Sequence, residues 1–396
     1  MTTEAHALSQ LEALVAHGPR FHGTETMRAA SAWVESELVA MGHAVRREPV
    51  SLPGWHPGTV RRVLVTAPVE RELPAWPMLW SAGTDGVVRG HLEVLGPEGI
   101  WGDSIVWQRL GVRDTRGRIA AVVHARDDGP AAPQPLPAGS DDGVAHLAIG
   151  RLDGLQLAEW IADHERVTVE VSLDSGPRDR SVSDNLIVEI AASEPGSSDP
   201  AVSGTVVVCG HLDSFYNTVG AYDNGSGSIA LLELARLWAV SPPPRPVRIV
   251  WFTAEEWHLL GSRHHVEQLD PAARDAIDFV LNIDGLGRGD HLETFVGPER
   301  FGFAVRDAIR AYARATARTL TTVDRFPPTR GTDDASFHAA GIPSVFCTFN
   351  DLHRLHQPED VPDPAIARNI AWTVPLARSL AETMPRPERT PAPGLL

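Results

Sequence analysis

The sequence contains no lysine; all 35 of its basic side chains are arginine. That excludes every mechanism built on a lysine Schiff base. Cysteine is nearly as scarce, with Cys209 and Cys347 the only two in 396 residues, so no disulfide framework staples this chain. Both lie in strand-like apolar runs and read as buried, reduced thiols. Positive charge is in short supply as well, and the formal net charge is -16. Such a chain lacks the basic footprint of a nucleic-acid partner and is not drawn to anionic lipid. No run approaches the roughly 18 consecutive apolar residues of a membrane-spanning helix. Residues 1–7 have neither the basic nor the apolar region of a secretory signal, which leads to the expectation of a soluble, cytoplasmic protein.

What remains is an ordinary globular composition, 43% hydrophobic and 22% charged, in a chain long enough for two domains with separate cores. Periodicity predicts helices over 4–17 and 24–41. In the second, Met27, Ala30, Val34, Leu38 and Met41 form one apolar stripe, with Thr24 as its cap and Gly42 at its end. From 54 to 181 the texture changes. Short strand candidates at 60–67, 87–94, 119–125 and 167–173 are separated by turns rich in Gly, Pro and Asp, with a long loop over 129–143 and one helix near 155–162. Beyond 182, strands at 205–209, 247–252, 278–283 and 343–348 alternate with helices at 226–239, 299–316 and 364–383. Alternation of that kind implies an α/β fold, a mixed, mainly parallel sheet between two layers of helices. The expected organisation is a discontinuous domain of residues 1–53 and 182–384, an inserted, mainly β domain over 54–181, and a solvated Pro-rich tail at 385–396.

Chemistry concentrates where the later strands end. The run Val206-Val207-Val208-Cys209-Gly210 releases His211 and Asp213, and Asp223 follows in the Gly-rich turn that opens the 226–239 helix. The 247–252 strand leads to Glu255 and Glu256, the 278–283 strand to Asp284, and His353, His356 and Asp360 gather near the last loop. In open α/β sheets the carboxyl ends of strands are where ligands bind. Carboxylates there are costly to desolvate unless paired or bound to a cation, and repeated delivery of carboxylate with imidazole suggests a metal centre. Other readings are weaker. Asn224-Gly225-Ser226-Gly227 lacks the spacing of a dinucleotide-binding loop, and Asp223 would repel phosphate. No nucleophile elbow surrounds Ser214 or Ser226. His264, His265 and His353 read as surface or supporting residues, and Glu293, Glu299 and Arg300 as a solvated face.

Taken in order, His211-x-Asp213, Asp223-Asn224-Gly225-x-Gly227, Glu255-Glu256, Asn282-x-Asp284 and His356 ahead of Asp360 form a pattern. It resembles the co-catalytic zinc exopeptidases of metallopeptidase family twenty-eight, of the bacterial leucyl aminopeptidase and aminopeptidase Y type. The Gly-Pro-Arg-Phe-His-Gly-Thr stretch at 18–24 is similar too, and the insert resembles, more weakly, the protease-associated domain of some members. The resemblance implies a three-layer α/β/α zinc exopeptidase fold with two Zn²⁺ ions, though this donor set also suits Co²⁺ or Mn²⁺. By the same resemblance, His211 and Asp284 would hold one ion, Glu256 and His356 the other, and Asp223 would bridge them. Glu255 would be the general base acting with a metal-bridging hydroxide, and Asp213 would orient His211. Three positions depart from the family pattern: Leu355 replaces a common tyrosine, His258 replaces a glycine, and Thr332-Asp333-Asp334 stands where Ser-Asp-His is usual.

The expected activity is that of an aminopeptidase acting on peptides. Two alternatives compete. One is a dipeptidase, carboxypeptidase or amidohydrolase on a non-peptide amide, with Arg325, Arg330 and Arg354 as candidates for binding a substrate carboxylate. The other is an inert binding module that kept the fold.

Overall fold

The computed structural model describes residues 2–101, 105–137, 143–163, 166–193, 204–326 and 331–389. The chain forms two units, one of Met1–Val50, Val182–Arg354 and Pro358–Leu396, the other of Ser51–Ser181 with Leu355–Gln357.

The first unit is built on an eight-stranded sheet, in the order 45–56, 176–190, 247–252, 205–211, 277–286, 344–349, 291–297 and 321–325. Its central strands, Thr205–His211, Val247–Phe252, Ile277–Leu286 and Ser344–Phe349, run parallel. Strands 176–190 and 291–297 join them antiparallel. The fold is therefore mixed α/β, as the alternation of strands and helices anticipates.

Both faces of the central strands are apolar because both are covered. Val207, Cys209, Val250 and Phe252 share a core with Val266 of helix Leu260–Gln268 and Phe337 of helix Asp334–Ala339. On the opposite face Trp251 donates its indole N–H to the Ser228 carbonyl of helix Ser226–Val240 at 3.0 Å, and that helix packs against Pro364–Thr383. Parallel strands covered in this way send their carboxyl ends, with the polar residues that follow, to one edge of the sheet. Helix Glu25–Ala40 is capped as expected, with Thr24 Oγ1 accepting the Met27 amide at 3.2 Å.

Several elements escape the sequence pattern. Helix Asp334–Ala339 is buried through Asp334–His338, so it shows no apolar stripe. Strand Thr321–Arg325 lies at the sheet's edge, half-buried and polar. Strand His291–Gly297 lies between that edge and Ser344–Phe349, which corrects the expectation for Glu293. Flanked by strands on both sides, Glu293 is buried rather than solvated, and it accepts Arg325 Nε and Asn350 Nδ2, each at 3.2 Å. The start of the tail is also less free than expected. Arg386 donates to the Asp275 carbonyl at 2.9 Å and Arg389 to the Ile277 carbonyl at 2.7 Å; residues 390–396 lie outside the described residues, as does part of the 129–143 loop.

The second unit has its own eight-stranded sheet, in the order 71–73, 61–67, 168–173, 88–101, 105–113, 119–125, 145–149 and 75–77. It is antiparallel except where Ile119–Ala125 runs parallel to Ala145–Ile149. Val63, Val65, Leu110, Val123, Leu147, Val169 and Val171 form its core, joined by Leu157 from helix Arg151–Asp163. No helix among the described residues is long and apolar enough to cross a membrane.

Candidate metal centre

The Thr205–His211 strand ends in His211, which is fully buried. Its Nδ1 lies 3.0 Å from the backbone carbonyl of Asp213, so Nδ1 carries a proton and Nε2 is the nitrogen turned toward the cluster. Nε2 is 3.2 Å from Asp223 Oδ1, 3.3 Å from Asp284 Oδ1 and 3.9 Å from Glu255 Oε2, and it has no well-aligned hydrogen-bond partner among the described residues. Within the first unit two overlapping groups of side chains each bring their ligand atoms within 4.8 Å of one another: His211, Asp223 and Asp284; and His211, Glu255 and Glu256.

Backbone geometry delivers each of these side chains. Asp223 sits in the Ala221–Gly225 turn that leads into helix Ser226–Val240, and the Asp360 carboxylate accepts the amides of Tyr222 at 2.7 Å and Asp223 at 3.1 Å. Next to it Asn224 joins this turn to the strand that ends at Asp284. Its Nδ2 donates to the Ile283 carbonyl at 3.0 Å, and its Oδ1 accepts the amides of Gly227 at 2.8 Å and Gly285 at 3.1 Å. Gly227 is required by this closeness, since a Cβ there would stand 2.2 Å from the Ile283 carbonyl oxygen. Glu255 and Glu256 leave the strand end after Ala254, a non-glycine residue in the left-handed region at φ 55. Strained backbone of this kind clusters at functional sites. The two oxygens of Asp213 accept the amides of Glu255 at 3.2 Å and Glu256 at 3.3 Å. Asp213 thus holds His211 through its backbone and the Glu255–Glu256 turn through its side chain.

The electrostatics favour a cation at this cluster. Burial, reinforced by Glu256, Asp284 and Asp333, lifts Glu255 well above the usual carboxylate range, with His211 opposing. Asp284 is raised by burial too, and Asp333 is pushed up to about 8. Burial disfavours the charged form of His211, yet the surrounding Asp284, Glu255, Asp213 and Asp223 outweigh it and hold its pKa well above the ordinary value. Carboxylates crowded in low dielectric bind protons unless a cation takes their place. One imidazole Nε2 facing carboxylate oxygens is a donor set that fits a divalent transition ion.

The seven site residues expected from the sequence fall as follows. His211, Asp223, Glu255, Glu256 and Asp284 share the groups above, Asp213 lies directly behind them, and His356, which is buried, belongs to the second unit. His353 is exposed and His264 half-buried, while His265 is buried against Glu48. Arg325 is engaged by Glu293, Arg354 is half-buried, and Arg330 lies outside the described residues. Sequence reading missed the role of Arg20. This buried guanidinium donates to the carbonyls of Leu212 at 2.6 Å, Val219 and Gly220 at 2.9 Å, and the Arg20 amide donates to Ser214 Oγ at 3.0 Å. It fastens the loop between His211 and Asp223. Its only signal was its place in the Gly-Pro-Arg-Phe stretch.

A model described as peptidase family M28 matches residues 185–376. Aminopeptidase YwaD of Bacillus subtilis (strain 168) is 24% identical over 385 residues, 90% of this chain and 79% of that one. An aminopeptidase of Pseudomonas aeruginosa (strain UCBPP-PA14) is 40% identical over 103 residues, 26% of this chain but only 18% of that one; the chain therefore spans most of the first relative's length and less than a fifth of the second's. Among solved structures, that of BSAP, described as a zinc aminopeptidase from Bacillus subtilis, superposes with a TM-score of 0.70 at 21% identity, covering 96% of each chain. At that identity the likeness concerns the fold.

Proposed function

Since a model described as peptidase family M28 matches residues 185–376 of this chain, we propose that it is a zinc-dependent aminopeptidase of that family and that the carboxylate–imidazole cluster is its active site. The observation that carries this reading is the buried His211 imidazole, with Nε2 turned between Asp223 and Asp284 at 3.2 and 3.3 Å. His211 and Asp284 would hold one ion, Glu256 and His356 a second, and Asp223 would lie between them. Two such ions, when bound, acidify a shared water and polarise the scissile carbonyl. Glu255 would accept the proton on its carboxylate and return it to the leaving amine. Its burial and its carboxylate neighbours support that role, because they raise its proton affinity above that of an exposed carboxylate. Asp213 would keep Nδ1 of His211 protonated and hold the Glu255 amide in place.

Charge favours the amino end of a peptide over the carboxyl end. The carboxylates of Asp213, Asp223, Glu255, Glu256 and Asp284 outnumber the charges of two dications, and such a surplus attracts an ammonium group and repels a terminal carboxylate. The nearby guanidinium, Arg20, is committed to backbone carbonyls, and Arg325 is committed to Glu293.

The test is metal analysis of the purified protein, together with a panel of aminoacyl anilides and dipeptides assayed with free and acetylated amino ends. Two metal ions per chain are expected, with turnover of free-amine substrates that a chelator abolishes and Zn²⁺ restores. Equal turnover of acetylated substrates, or turnover unaffected by the chelator, would refute the reading.

A further inference from the structure

The Glu255–Glu256 turn is also held from behind. Its two ends, Thr253 and Gly261, meet in space, and one buried side chain grips both. Asn185 Oδ1 accepts the Thr253 amide at 3.0 Å, and its Nδ2 donates to the Gly261 carbonyl at 3.1 Å. The same Nδ2 donates to Glu48 Oε1 at 2.9 Å, so this amide has its oxygen and both hydrogens in use. Glu48 in turn accepts His265 Nδ1 at 3.0 Å, and His265 lies on helix Leu260–Gln268, which starts where the turn ends. Gly261 is part of the closure, because a Cβ there would stand 1.8 Å from the Thr253 carbonyl oxygen. Between the two ends, Ala254, His258 and Leu259 are all left-handed, at φ 55, 61 and 61. Non-glycine residues persist in that region only where their surroundings over-determine them.

We infer that Asn185 is a positioning residue for the proton-transferring carboxylate. It closes the Thr253–Gly261 loop so that Glu255 and Glu256 leave it at the angle the metal pocket needs, an inference that rests on the function proposed above. Asp213 grips the middle of the turn through two amides, and Asn185 grips its ends. Without the second grip the strained residues are free to relax, and the carboxylates swing with them. A displacement of about 1 Å at a reacting group is enough for a hundredfold loss of rate. Asparagine is the residue the place demands. An aspartate of the same shape would set a carboxylate oxygen against the Gly261 carbonyl and the Glu48 carboxylate, with no hydrogen to offer either.

The test compares the parent with Asn185→Ala and Asn185→Asp in the full chain loaded with Co²⁺. The readouts are amide hydrogen exchange over 253–261, the visible Co²⁺ spectrum, and kcat and KM on the aminoacyl anilide that the parent turns over fastest. In Asn185→Ala the Thr253 amide should exchange at least a hundredfold faster and the Co²⁺ band should shift. There kcat should fall ten- to hundredfold while KM stays within threefold; Asn185→Asp should lose more. The inference is overturned if exchange in Asn185→Ala matches the parent, or if a loosened loop leaves the spectrum unchanged and kcat within threefold. Should neither variant fold, Gly261→Ala provides the same readouts by prising the loop ends apart. A parent that binds Co²⁺ but turns over no anilide or peptide speaks against the aminopeptidase reading, and exchange and spectrum then judge the role of Asn185 by themselves.

Discussion

The Asp213 carboxylate accepts the backbone amide of Glu255 at 3.2 Å, although the two residues end different strands. Its other oxygen takes the Glu256 amide, and the Asp213 carbonyl takes Nδ1 of His211. One residue therefore sets the relative position of an imidazole and two carboxylates. Asp213→Asn replaces one accepting oxygen with an NH₂ group aimed at an amide N–H. The expected result is a ten- to hundredfold loss of metal affinity, the range usual for residues that orient ligands, measured by competition with a chelating dye. Unchanged affinity would mean that the turn holds itself.

Glu255→Gln retains shape and size and removes only the ability to carry a proton away from water. If Glu255 moves the proton, kcat should fall by about 10²–10⁴-fold, with metal content the same as in the parent. Retention of more than a tenth of the activity in a fully loaded protein would give the proton to another group.

Arg20→Leu should act through the fold before it acts through catalysis. The substitution strands the carbonyls of Leu212, Val219 and Gly220, all of which the guanidinium now satisfies. A buried polar group left unpaired costs about 1–3 kcal/mol, so a loss of at least about 3 kcal/mol is expected in urea unfolding of the chelator-treated protein. Burial already draws the Arg20 pKa down to about 10 despite Asp360, Asp213 and Asp223 nearby, still far above neutral pH, so the parent keeps its charge there.

The Glu48–His265 pair makes a prediction about acid. Burial works against the Glu48 carboxylate, but His265, Asn185 and Arg46 outweigh it and hold its pKa down to about 2, against an ordinary value of 4.5. A carboxylate with a depressed folded-state pKa stabilises fully above its unfolded value, and the contribution is lost as pH falls through the folded one. Glu48→Gln should therefore be less stable than the parent at pH 7, with a gap that narrows between about pH 4.5 and pH 2. Urea unfolding of metal-free protein at several pH values would reveal it, and a gap that widens toward low pH would contradict the assignment.

The sequence was enough to show which side chains could meet. Short, nearly continuous apolar runs mark buried parallel strands, the residues that follow each run lie at a known edge, and His211, Glu256 and Asp284 occupy such positions, with Asp223 in the Gly-rich turn that opens the next helix. These are local properties, set by the reach and pleat of the backbone, and a linear text carries them. The same is true of helices 226–239, 299–316 and 364–383, whose apolar periodicity is written in consecutive turns.

Tertiary contact decided the rest. Which nitrogen of His211 faces the cluster depends on a carbonyl two residues on, folded back by the turn. That Asp213 holds Glu255, that Arg20 reaches loop carbonyls some 200 residues away, and that Asn185 joins Thr253 to Gly261 are facts about chain segments remote in sequence. Glu293 looked solvated for the same reason: no local pattern reports that strands will close over both sides of it. Burial and hydrogen-bond partnership are properties of the assembled sheet and helices, so they exist only once the chain has come together.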